Sequence, residues 1–519
     1  MQDSSSNSMD DNNPFRLQSA AVTVATLFRQ RVAIDGDRVA LVDLDRQLTY
    51  RQLETRSNRL ANVLIEQGIA AGDRVAMLAK NCAEYVELEL ACAKIGAIVC
   101  ALNWRLATPE LEHCIRLVSP KVLVHQAEFE QPWQQLGPSI EQVLVIGDDY
   151  EQRLTKASDQ IVCRELDAED GLIIIYTSGT TGLPKGALIS HRAMIARSMA
   201  YLVEMGIDSS QGFIAWPPFY HMASTDQALA TLMTGGTVYV VDGYLPDQIM
   251  DILEQTAVGW LALMPGMVGQ FVEDAKKRPK PLQPVGLQYV GAMADLVPPQ
   301  EIAAATRLLN APYANTFGST ETGLPPATSS SFPVGEAPTR RAKRISSLCE
   351  IRLVDENDND VPDGVPGELL FRGPTLFSGY WNAAETNRKD FRGGWFHLGD
   401  LFIRQPDGTI DFVDRSKYMI KSGGENIYPA EIERVLLKHD GVQDAAVVKQ
   451  QDERWGEVPI AYVALHDDTI TEEQLLDFCR QQLASYKLPK AIHFINFEQF
   501  PRSTAGKIQH HKLERAATS

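Results

Sequence analysis

A chain of 519 residues exceeds what one hydrophobic core organises, so two or more domains are expected. Hydrophobic content of 44% and charged content of 22% are those of a globular protein, and no apolar run is long enough to cross a bilayer, which excludes a helical membrane span. A net charge of −18 excludes DNA or RNA as a partner; the acidity lies before Arg415, since from there to Ser519 14 Lys+Arg face 15 Asp+Glu.

The polar start, residues 1–20, lacks the basic and apolar regions of a secretory signal and is expected to be disordered, which points to the cytoplasm. Seven scattered cysteines without C-x-x-C spacing agree, reading as reduced thiols with no zinc site. Thr49-Tyr50-Arg51-Gln52 has capping-box spacing ahead of Leu53, Leu60, Val63 and Leu64 at helical intervals. A strand is predicted over 74–79, a helix through Tyr85, Leu88, Cys92 and Ile95 to Gly96, and a strand over 98–102. Thr108-Pro109 opens another helix. Further strands are predicted at 121–124, 143–146, 172–175, 238–241, 259–263 and 287–290, with helical patterns between most of them. Such alternation means mostly parallel sheets covered by helices, an α/β fold.

From Cys349 to Asp414 the texture shifts to short alternating strands, read as a small barrel-like β region ending in a hairpin at Gln405-Pro406-Asp407-Gly408. A boundary is expected just after it. Residues 21–415 then form the large domain and residues 416–519 a small, mobile α/β lid.

The most informative stretch is Tyr176-Thr177-Ser178-Gly179-Thr180-Thr181-Gly182-Leu183-Pro184-Lys185-Gly186. Its glycines let backbone N–H groups approach an anion, its hydroxyls donate, and Lys185 adds charge. That is phosphate chemistry, although the G-x-x-x-x-G-K-[ST] spacing of a Walker A loop is absent. A flexible linker is the bland alternative, but linkers rarely abut a run like Ile173-Ile174-Ile175. Ser190 is a good N-cap for the helix that follows.

Glu321, in Asn315-Thr316-Phe317-Gly318-Ser319-Thr320-Glu321-Thr322, suits a hard, oxygen-liking Mg²⁺, with ATP phosphates and Thr180 completing the shell. The paired Gly423 and Gly424 after Ser422 read either as a tight turn or as room for a thin thiol arm. His221, among aromatics in Trp216-Pro217-Pro218-Phe219-Tyr220-His221, reads as pocket wall before catalyst. The basic run Arg340-Arg341-Ala342-Lys343-Arg344 is most simply a solvated loop, with CoA phosphates as the alternative.

These motifs, collinear over about residues 20 to 515, resemble the acyl-adenylate-forming superfamily of acyl-CoA synthetases, carrier-protein-loading adenylation domains and firefly-type luciferases. The resemblance implies an AMP-forming acid:CoA ligase using ATP, Mg²⁺ and coenzyme A on a small-molecule carboxylic acid, and it leaves room for a homodimer. It implies that Thr177 to Gly182 and Lys185 hold phosphates, and that Gly291-Ala292-Met293 and Asn315 to Ser319 flank the adenine, with Thr320 beside them. Asp400 and Arg415 would hold the ribose, Lys417 would be the hinge, and Ser422-Gly423-Gly424 would line the pantetheine tunnel. Lys507 matches the lysine that stabilises charge during adenylation, so Lys507, Glu321, Thr180 and His221 are the candidate catalytic residues. The acid pocket would lie among Phe219, His221, Ser224, Gly291 to Ala294, Gly318 and Gly323 to Pro325; these suit a hydrophobic acid, whether aromatic, alicyclic or medium-chain. A stand-alone enzyme loading a carrier protein is the alternative.

Overall fold

A computed structural model describes residues 22–130, 140, 142–160, 164–177, 183–415, 418–422, 425–452, 455–466, 469–483, 485–502 and 507–517. The expectations at Ser178 to Gly182, Lys417, Gly423 and Gly424 fall outside these residues.

The apolar runs read as strands pair into two large sheets. One has seven strands in the spatial order Gly379–Tyr380, Lys185–Ser190, Gly171–Thr177, Ile98–Ala101, Arg74–Leu78, Val122–Gln126, Gln142–Ile146. Its centre is parallel and dry: Val75, Ala76, Met77, Val99, Cys100 and Ile174 are completely buried. Helices cover such strands on both faces, so their sequences read as continuous apolar runs rather than alternating ones. The helices begin and end where the local chemistry says. Thr49 Oγ1 accepts from Gln52 N at 3.2 Å to start Tyr50–Glu66, and Gly96 ends Ala83–Ile95 in the left-handed conformation at φ 73°.

The stretch 176–186 connects antiparallel neighbours. Gly171–Thr177 pairs with Lys185–Ser190 in a register that sets Thr177 opposite Lys185. A hairpin thus interrupts the parallel sheet, which the sequence reading did not anticipate, and a Walker A loop would have led from strand into helix instead.

The second sheet has eight strands, with Gly212–Ala215, Ala257–Leu261 and Gly286–Val290 parallel near its middle. The β region is a four-stranded antiparallel sheet of Glu350–Val354, Pro366–Arg372, Phe396–Arg404 and Ile410–Arg415, beside the ribbon Phe317–Ser319 with Gly323–Ala327. The smaller C-terminal domain has its own sheet, built on the long hairpin Val442–Asp452 and Gly456–Leu465, packed by the helix Pro429–Leu436.

Contacts join the two domains. Asp414 Oδ2 accepts from Ala430 N at 2.9 Å, capping the first turn of Pro429–Leu436, and Arg434 Nη1 donates to the Phe412 carbonyl at 3.1 Å. Arg502, paired with Asp444, lies so near the large domain that a Cβ on Gly266 would come within 3.2 Å of its guanidinium.

One expectation is corrected. The basic run 340–344 is not uniformly solvated: Arg340 and Arg344 face water, whereas Lys343 is completely buried. Charge in a run does not say which way each side chain points, and in extended backbone neighbours point oppositely.

Candidate active site

Four charged side chains, far apart in sequence, lie within electrostatic reach of one another where the domains join. Asp400 and Arg415 are cross-strand partners in the β region, and Arg415 Nε lies 3.1 Å from Asp400 Oδ1. Asp400 is 2% exposed, and its charge is the main reason the Arg415 pKa is raised. Lys507 arrives from the small domain. Lys507 keeps exposed surface, and partial desolvation with the Arg415 charge pushes its pKa down while Asp400 and Glu321 pull it up. A lysine within electrostatic reach of all three belongs to one cluster with them.

Glu321 is aimed by a partner that sequence reasoning missed. Tyr380, on the edge strand beside Lys185–Ser190, donates its hydroxyl to Glu321 Oε1 at 2.8 Å. Burial and the Glu321 charge raise the Tyr380 pKa, so the phenol stays a donor at neutral pH. Lys185 Nζ sits 4.6 Å from the centroid of the same ring and 3.9 Å from Asp390. Lys185, Tyr380 and Glu321 therefore form a chain of contacts linking two motifs that are 136 residues apart. Only sheet pairing brings Tyr380 there, so no local signal could have found it.

The backbone of the Glu321 turn is pinned from behind. Arg197, on the helix His191–Met199 that Ser190 caps, is completely buried; its Nη2 donates to the carbonyls of Thr320 (2.9 Å) and Glu321 (3.1 Å). Its Nε donates to Thr375 O, and its Nη1 meets Asp226 Oδ2 at 3.2 Å. Sequence reasoning did not single out Arg197, because its partners at 226, 320, 321 and 375 are remote in the chain.

His221 caps the helix Met222–Thr234: its Nδ1 accepts from Ala223 N at 3.1 Å. Burial, aided by the Lys507 charge, lowers its pKa to about 4, so the ring is neutral at physiological pH. With Nδ1 already engaged in the cap, that nitrogen is not free to take a proton from a substrate.

The segments expected to flank adenine do converge. Gly291 has φ 78°, and a Cβ there would strike the Tyr313 ring at 2.1 Å, so glycine is required. Ala294 N reaches Asn315 Oδ1 at 3.4 Å, joining 291–294 to 315–319. Asn315 and Thr316 are buried, and Phe317 packs against Phe402 and Phe412, with centroids 4.8 and 5.2 Å away. Its ring thus belongs to the core. A Cβ on Gly318 would lie 1.9 Å from Gly323 O. Ser319 Oγ accepts from Glu321 N at 3.2 Å, which tightens the turn. Ser422 is buried in the strand Ile420–Ser422 of the small domain.

Gly291 and Ala292 adjoin an apolar core cluster. Tyr201, Trp260, Ala262, Ala292 and Leu324 form one cluster, and Trp260 Nε1 donates to Gly291 O at 2.6 Å, so the indole's polar edge is satisfied by backbone. Phe219 stacks on Tyr85 at 5.2 Å.

A cation brought by a second domain to the cluster of Glu321, Asp400 and Arg415 suits the adenylate-forming class of enzymes. Comparison with known proteins agrees. The profile of the AMP-binding enzyme family matches residues 28–381, and that of the AMP-binding enzyme C-terminal domain matches residues 431–507. A feruloyl-CoA synthase of Amycolatopsis sp is 33% identical over 470 residues, covering 90% of this chain and 94% of its own. An indoleacetate–CoA ligase of Aromatoleum aromaticum is 30% identical over 491 residues, covering 92% and 95%. The ATP-bound structure of MatB from Rhodopseudomonas palustris matches with a TM-score of 0.83 at 26% identity, covering 95% of this chain and 99% of that one. The chain belongs to the AMP-binding enzyme family.

Proposed function

We propose that this protein is an AMP-forming acid:CoA ligase that activates a hydrophobic, aromatic carboxylic acid as its acyl-adenylate and transfers the acyl group to coenzyme A. The observation that carries the reading is the cross-strand pair of Asp400 and Arg415, 3.1 Å apart, with Lys507 of the small domain and Glu321 within electrostatic reach of it. The names of the curated relatives, which act on feruloyl, indoleacetate and 2-succinylbenzoate groups, support an aromatic acid. The apolar cluster of Tyr201, Trp260, Ala292 and Leu324 beside Gly291 is compatible with such an acid.

In the first half-reaction a carboxylate oxygen attacks the α-phosphorus of ATP and pyrophosphate leaves. Two anions must approach, so the main task is charge stabilisation, and a carboxylate ionised at neutral pH needs no general base. Lys507 supplies a positive charge on the reacting phosphate. Asp400 and Arg415 hold the ribose hydroxyls, and Thr177 to Gly182 with Lys185 hold the phosphates. In the second half-reaction the CoA thiol, entering past Ser422-Gly423-Gly424, attacks the acyl carbonyl carbon and AMP departs. The small domain, taken as 416–519, turns about Lys417 between the two steps.

Glu321, with Thr180, would hold Mg²⁺. Among the described residues no group of three or more His, Cys, Asp or Glu could cage a metal. A single aimed carboxylate fits an ion that takes most of its oxygens from phosphates and water. When bound, Mg²⁺ would neutralise phosphate charge. Glu321→Gln keeps volume and can still accept from Tyr380, so the fold should persist. The Mg²⁺ needed for half-maximal activity should rise and kcat/KM for MgATP fall, by about tenfold or more. An unchanged Mg²⁺ dependence would remove Glu321 from the metal site.

The direct test is pyrophosphate release with a panel of cinnamic, arylacetic, benzoic and aliphatic acids, with and without CoA. Acid-dependent release with an aromatic acid, followed by acyl-CoA on adding CoA, is expected. Release that yields acyl transfer only to a carrier protein would contradict the ligase assignment.

A further inference from the structure

The basic run 340–344, a plain surface loop in the sequence, is tied to three parts of the site at once. Lys343 is completely buried, with Nζ 2.6 Å from Asp295 Oδ2 and donating to Asn315 Oδ1 at 2.7 Å. Asp295 follows directly on the segment 291–294, and Asn315 opens the segment 315–319. The backbone of Lys343 pairs with Ile410 in both directions, at 2.8 and 2.9 Å, and Ile410 opens the strand that ends in Arg415. Next to it, Arg341 Nε donates to Ala294 O at 2.7 Å.

The Asn315 amide has one orientation because of this contact. An ammonium can only donate, so it must face Oδ1, and Nδ2 is then turned towards the carbonyls of Arg341 and Ala342, each 3.1 Å away. Both ends of the amide are engaged by protein, so Asn315 places backbone rather than reading a base with its side chain. Burying an ammonium and a carboxylate is costly, and a methionine would fill the same space with no desolvation penalty; a retained pair of this kind is explained by the geometry it imposes.

We propose that Lys343 is a positioning residue for the base end of the nucleotide site, fixing the spacing between 291–294 and 315–319 and holding both to the strand of Arg415. This rests on the nucleotide reading of those segments given above.

The test is the double variant Lys343→Met with Asp295→Asn, which removes both charges at near-constant volume and leaves no unpaired ion. AMP affinity by calorimetry, KM for ATP and for the acid, and preference for ATP over GTP are measured. AMP affinity should fall and the ATP KM rise by about tenfold, while the acid KM stays within about twofold and the ATP preference narrows by about tenfold. A loss that was only structural would not change base preference. Asn315→Ser, which removes the amide partner but keeps the Lys343–Asp295 pair, is the second variant and should shift the same quantities. Wild-type AMP affinity and base preference in either folded variant overturn the proposal. If the wild-type protein binds AMP but makes no acyl-adenylate from any acid, the ligase reading fails instead, and calorimetry still decides the role of Lys343.

Discussion

Lys507→Ala is expected to slow adenylation by about 10²–10³-fold while leaving thioester formation from a supplied acyl-adenylate close to the wild-type rate. The first half rests on charge: Lys507 stands in the field of Arg415, Asp400 and Glu321, where a nucleotide phosphate would meet it. The second half rests on chemistry, because thiol attack on a carbonyl carbon no longer has a pyrophosphate to release. It also rests on the proposed turn of the small domain, which would carry Lys507 away before CoA enters. Separate single-turnover assays of the two half-reactions read this directly. Equal losses in both would mean that one domain orientation serves both steps, and full adenylation would remove Lys507 from the reacting centre.

Arg197→Met should destabilise the large domain by about 3–5 kcal/mol, read by chemical denaturation. Burial lowers the Arg197 pKa and raises that of Asp226, so desolvation outweighs their mutual attraction in both groups. A buried pair of this kind commonly adds little net stability, yet removing one member strands the other charge in a dry interior. Arg197→Met with Asp226→Asn should recover most of the stability. It should not restore catalysis, because the carbonyls of Thr320 and Glu321 still lack their donor. A single variant as stable as wild type would show that water or a rearranged side chain satisfies Asp226.

Much of the architecture was legible because it depends on short-range rules. The buried strands at 74–79, 98–102, 121–124 and 172–175 are short, mostly apolar runs, and each appears within a residue or two of its expected place. Helix starts at Thr49 and Ser190 follow from one side chain accepting one backbone N–H. Glu321 stood out as a lone carboxylate among small hydroxyl residues, suited to a hard cation, whereas Asp400, Arg415 and Lys507 were legible only through the resemblance of their motifs to a known family.

The sequence by itself determined the α/β class, the change of texture at Cys349, the distinct final hundred residues and the chemistry of the motifs. Each of these depends on periodicity or on neighbours within a few residues. Only the tertiary structure decided which motifs share a site, and which inconspicuous residues serve them. Tyr380 reaches Glu321 by strand pairing, Arg197 pins the same turn from a helix more than a hundred residues earlier, and Lys343 turns inward from a run of charges. Their partners are remote in sequence, and a side chain's partners are set by packing, which local pattern does not encode.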